Sequence, residues 1–218
     1  MALLCITSAI NYEVRSHINI DGQTLVSGDT MKIVGYTLGR CPGLEEHVKA
    51  IRKSYGARAW TIKHLKRTGI DTPTLVRIYC SMVRPLFDYV APAYHTLLMA
   101  DQSEELERMQ RNVMKTIFGY DISYVDCLRE AGIPALEQRR EELFRVFAVK
   151  CWNSERWRSR WFKENEKSAY GLRNERVVVQ EFAACDHLMK SPVHMIRRYI
   201  NEIFRDGTAA ARGVIFGI

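Results

Sequence analysis

From residue 43 onward the apolar side chains recur at helical spacing, and that periodicity confines the chain to an architecture of packed helices. Leu44, Val48, Ile51, Tyr55, Ile62 and Leu65 fall on one stripe of a 3.6-residue helix. Thr72 can cap the next helix, with Pro73 at its first position. Leu75, Ile78, Tyr79, Met82 and Val83 give it an apolar face, and Pro85 should end or kink it. Asp101 and Glu104 have the spacing of a capping box ahead of Leu106, Met109, Val113 and Ile117, and Gly119 suits a stop. A short helix is predicted over Tyr124–Ala131, closed by Gly132. Pro134 should open another, with Leu136, Leu143, Phe144, Phe147 and Cys151 inward.

Residues 1–40 have a different texture. Ala2–Thr7 is a short apolar run, Ser27-Gly28-Asp29-Thr30 is turn chemistry, and Met31–Leu38 is a second apolar run containing Gly35. They read as the β edge of a sheet whose other strands are missing. Periodicity weakens over residues 153–190, a linker or long loop with a short helix near Val177–Phe182. Ser191-Pro192 then opens a last helix carrying Val193, Ile196, Tyr199, Ile200 and Ile203, and the tail from Asp206 should fray. The expected organisation is therefore a β element (1–40), a helical bundle (41–152), a basic and aromatic linker (153–190) and a C-terminal helix with its tail (191–218). The fold class is mainly α: a short N-terminal β hairpin followed by a bundle of about five or six helices.

Composition narrows the function classes. The 218 residues are 47% apolar and 26% charged, enough for a real core, and the net charge of +7 favours a polyanionic partner. The six cysteines lie far apart and make no C-x-x-C pair, as in a reduced, intracellular protein, nuclear or cytoplasmic rather than secreted. No signal-peptide pattern and no membrane-length apolar run is present, so no membrane partner is expected.

The residues suited to binding are cationic. Lys49, Lys53, Trp60, Lys63 and Arg67 recur at helical spacing beside the apolar stripe, with Arg52 and Lys66 widening the band. Residues 43–67 carry seven Lys and Arg against Glu45 and Glu46. Such a band can lie along a phosphate backbone and displace its counterions, positioning a duplex without reading it. The plainer reading is a solvated helix face. Arg108, Arg111 and Lys115 form a smaller stripe. In Arg156-Trp157-Arg158-Ser159-Arg160-Trp161-Phe162, arginines alternate with aromatics. That pattern suits base stacking, or simply an amphipathic piece packing Trp157 and Trp161 onto the bundle.

Catalytic signatures are missing. No Asp-Asp pair occurs anywhere, and a polymerase needs paired carboxylates to hold its metals. The histidines lack HExxH spacing, and there is no G-x-S-x-G elbow or P-loop. Phe87-Asp88-Tyr89 has a single carboxylate in a helix–loop setting. Cys185 and His187 flank Asp186, but close neighbours along a strand or helix do not make a working nucleophile–base pair.

Several motifs occur in the order found after the catalytic core of non-LTR (LINE-like, jockey/CR1-type) retrotransposon reverse transcriptases. Met31–Leu38 resembles that family's apolar-Leu-Gly primer-grip strand, with Val34 in place of Leu and Gly35 matched. His47-Val48-Lys49, Lys53, Trp60 and Leu65–Gly69 resemble its first thumb helix. Val83-Arg84-Pro85 through Tyr89-Val90-Ala91-Pro92 resemble its apolar-Arg-Pro and Ala-Pro signature, and Ala93-Tyr94-His95 stands where the family more often has Val-Trp-His. Gln102–Gln110 and Gly132-Ile133-Pro134-Ala135-Leu136 with Arg139-Arg140-Glu141 resemble later pieces. The resemblance covers about half the chain. It implies a palm-edge strand and a helical thumb that grips the template–primer duplex of an RNA-directed DNA polymerase. The fingers, most of the palm and the Tyr-x-Asp-Asp turn have no counterpart. The chain is thus expected to be a fragment, inactive alone, without a cofactor of its own. Mg²⁺ would belong to the full-length parent, whose missing palm and fingers would be a partner beside RNA–DNA or duplex nucleic acid. The alternatives are a helical protein-interaction module and a non-functional retroelement remnant.

Overall fold

In this computed structural model the described residues are 17–20, 23–26, 28–39, 43–164, 177–183 and 185–206. They are mainly helical, with an N-terminal β portion. The expectations for Ala2–Thr7 and for the tail from residue 207 lie outside them.

The β portion is two antiparallel hairpins. β1 (His17–Ile20) pairs with β2 (Gln23–Val26), and β3 (Thr30–Ile33) pairs with β4 (Tyr36–Gly39) in a register that sets Met31 opposite Leu38. The apolar run Met31–Leu38 is thus folded back on itself, not one strand. Its two-residue turn, Val34-Gly35, takes positive φ at both positions (46° and 81°), the mirror-image turn that matches strand twist.

The chain divides into two compact units. The first comprises residues up to Val90 together with Leu98–Glu137. Its spine is α1 (Glu45–Arg67), with Glu45 and Glu46 in the first turn and Lys66 and Arg67 in the last, both favourable to the helix dipole. Leu44, Val48, Ile51 and Ile62 are buried as their period requires. Gly69 turns left-handed, and its amide and that of Ile70 close on the carbonyls of Lys66 and Leu65. α2 (Thr72–Ile78) is capped by Asp71, whose carboxylate accepts the Thr74 amide at 3.1 Å, so the cap sits one residue before the expected Thr72. Ahead of Pro85 the ladder widens into a π turn, Tyr79–Val83, with the Arg84 amide reaching the Tyr79 carbonyl at 3.0 Å. Pro85, which has no N–H to give, then starts α3 (Pro85–Asp88). The expected kink is therefore a π turn followed by a fresh start.

α4 (Ala91–Tyr94) belongs to the second unit, and α5 (Ala100–Phe118) returns to the first. The cap of α5 is at Met99, whose amide donates to Gln102 Oε1 at 3.2 Å, and Asp101 lies inside the first turn. α6 (Tyr124–Ala131) ends at left-handed Gly132. α7 (Leu136–Asn153) begins with Leu136 and Glu137 in the first unit and continues in the second. A polar chain ties the first unit together. Tyr79 donates to Gln110, Gln110 donates to Tyr124 Oη (3.0 Å) and the Pro134 carbonyl (3.2 Å), Tyr124 donates to Glu107, and Glu107 accepts the Leu136 amide at 3.0 Å.

The second unit comprises Ala91–Leu97 and the chain from Gln138. It adds α8 (Glu155–Trp161), α9 (Asp186–Met189) and α10 (Pro192–Asp206). Phe144, Ala148, Cys151, Trp152, Phe162, Val178, Ile196 and Ile200 form its core. The expected helix near Val177–Phe182 is absent. Val178 forms a bridge with Glu164, and Asn201 grips both its N–H and its C=O at 2.9 Å. Those side-chain bonds take the backbone groups a helix would have used.

Candidate nucleic-acid interface

On α1, Lys49, Lys53, Trp60, Lys63 and Arg67 occupy one narrow face, opposite Val48, Ile51 and Ile62, with Arg52 at its edge and Lys66 further round, on the side of Val48. All seven are exposed. The core stripe and the cationic stripe share one period, so burial of the first forces the second outward. From Lys49 to Arg67 the face is about 27 Å long.

Not every cation on it is uncommitted. Lys49 pairs with Glu46 at 2.8 Å, and that hydrogen bond raises its pKa. Arg52 donates to Glu105 of α5 at 2.6 Å. Lys53, Lys63, Lys66 and Arg67 make no ion pair among the described residues. Exposed pairs such as Lys49–Glu46 are worth little and yield readily to a polyanion.

The other predicted groups fare differently. On α5, Arg108 is exposed, Lys115 is half-buried, and Arg111 pairs with Glu104 (3.2 Å) while lying over the Tyr124 ring. On α8, Arg158 pairs with Glu164 and covers Trp152, and Arg156 lies over Trp157. Phe162 is core and Trp161 is half-buried against it, so this part of the Arg–aromatic segment packs its own unit. Arg160 is exposed. Val34 stands at the hairpin tip, 73% exposed, and Gly35 lies under the Tyr89 ring so closely that an added Cβ would fall 2.3 Å from Cε1.

Two features escaped the sequence reading. The first is a stacked pair: Trp60 and His64 lie nearly parallel (6°), with centroids 5.3 Å apart. Their spacing of four residues on a helix was the available signal. The second is a cleft of about 310 Å³ bordered by Lys32, Gly35, His47, Ser54, Arg58 and Tyr89. It is assembled from a hairpin, α1 and α3, which no local pattern shows. His47 is buried there; its Nδ1 accepts the Thr37 amide at 3.4 Å, and burial, then Lys32, lower its pKa to about 4.

Asp88 pairs with Arg84 at 3.4 Å, and Asp186 with Lys190 at 3.1 Å. Among the described residues no cluster of three or more His, Cys, Asp and Glu could hold a metal, and no helix is long and apolar enough to cross a membrane. In comparison with known proteins, no family model, curated protein or solved structure matches this chain.

Proposed function

We propose that the chain is a nucleic-acid-holding helical module of the reverse-transcriptase thumb kind, gripping an RNA–DNA or duplex backbone along α1 without reading its sequence. The observation that supports this reading best is that Lys53, Lys63 and Arg67 lie exposed along one face of α1, with Lys66 also exposed at its C-terminal end. Each ammonium or guanidinium that meets a phosphate releases condensed counterions, which supplies affinity with no base contact. Chemistry would fall to a polymerase palm supplied as partner, since the only metal-binding carboxylates this reading calls for are the palm's.

The test is retention on heparin and on duplex. Reversing Lys53, Lys63, Lys66 and Arg67 to Glu should abolish both while helix content, read by circular dichroism, stays unchanged. Wild-type retention in that variant would remove α1 from the interface.

A second reading, a protein-interaction module, draws on the exposed Ile33, Val34 and Tyr89 about the hairpin tip. Apolar docking there would be nearly indifferent to salt, whereas backbone binding weakens steeply with it.

A further inference from the structure

Trp60 is 66% exposed in the middle of the cationic face, although an indole gains much by burial. It is held flat against His64, and both rings are open to solvent. One turn earlier, on the same face, stands Gly56. A Cβ there would meet nothing within 4 Å, so packing does not demand a glycine. A glycine inside a helix costs about 1 kcal/mol relative to alanine. Its effect is to leave bare the turn beside the free face of the indole. Phosphates need cations, not flat rings, and in a blunt duplex the bases are already stacked and out of reach. An exposed aromatic plane with an open slot, with Lys53 on its N-terminal side and Lys63 one turn beyond the indole, matches an unpaired base carried on a phosphate strand.

We infer that Gly56, Trp60 and His64 form a base-stacking slot, so that the α1 face holds single-stranded RNA or DNA in preference to blunt duplex. This inference rests on the nucleic-acid reading above. One base lies on the indole while its flanking phosphates meet Lys53 and Lys63.

Fluorescence anisotropy with three probes of matched phosphate count tests it: a base-bearing single strand, the same strand made abasic throughout, and a blunt duplex. The base-bearing strand should bind on the order of tenfold more tightly than the abasic one. Trp60→Ala should erase that difference while leaving abasic and duplex binding unchanged. Gly56→Leu should do the same by filling the slot with the ring still present, and Trp60→Phe should keep most of the preference. Lys63→Glu with Arg67→Glu should weaken all three probes alike. Equal binding of base-bearing and abasic strands by the wild type, or a Trp60→Ala loss equal for all probes, overturns the slot and leaves backbone binding standing. Wild-type binding to none of the probes rejects both.

Discussion

Val34 and Val90 take left-handed backbones (φ 46° and 53°), conformations that a β-branched side chain adopts only under strain. Both adjoin one contact: Val34 precedes Gly35, whose Cα lies under the Tyr89 ring, and Val90 follows Tyr89. Gly35→Ala should therefore cost both the left-handed strain and a steric clash, and Tyr89→Ala should recover only the steric part. Gly132 offers the contrast. It is equally left-handed (φ 64°) but has open space about it, so Gly132→Ala should cost about 1 kcal/mol in denaturant titration, with no partner able to rescue it. His47 gives a pH dependence of definite sign. Its pKa falls from 6.5 to about 4 on folding, chiefly through burial, so the unfolded chain binds the proton first. The stability it contributes is complete above pH 6.5 and is lost as the pH falls through 4. His47→Gln should flatten that part of the stability–pH curve.

At the scale of elements, the Tyr79–Gln110–Tyr124–Glu107 chain locks α5 to α6, to the π turn and to the start of α7. Burial raises the pKa of both tyrosines, keeping their hydroxyls as donors. Gln110→Leu would strand the Tyr79 hydroxyl and the Pro134 carbonyl, leave Tyr124 only its bond to Glu107, and should lower stability by roughly 1–3 kcal/mol in a chemical melt. None of this network was visible in the sequence, because its bonded partners lie up to 31 residues apart on different elements. Helix bodies were visible, since the 3.6-residue stripe is local: α6 spans the predicted Tyr124–Ala131 and ends at the predicted Gly132. Caps were less so. Asp71 competes with Thr72, and Met99 with Asp101, within a single turn, and the backbone break decides between near-equal candidates.

At the scale of the whole molecule, a net charge of +7 makes any grip on nucleic acid sensitive to ionic strength. If four α1 cations each meet a phosphate, log K against log salt should fall with a slope of about −3 to −4. A flat titration would favour apolar docking at the hairpin tip. With Mg²⁺, template and primer the chain by itself should extend nothing, and measurable extension would refute the division of labour proposed here. By itself the sequence determined the mainly helical class and the outward cationic face of α1, because one helical period fixes which residues go in and which go out. Tertiary structure decided what depends on residues far apart in the chain. It folded Met31–Leu38 into a hairpin, drew Arg158 onto Trp152 and Arg52 onto Glu105, and held Val178 extended in the grip of Asn201. Charge patterning shows which cations exist; only packing shows which of them are already spent on a carboxylate or a ring.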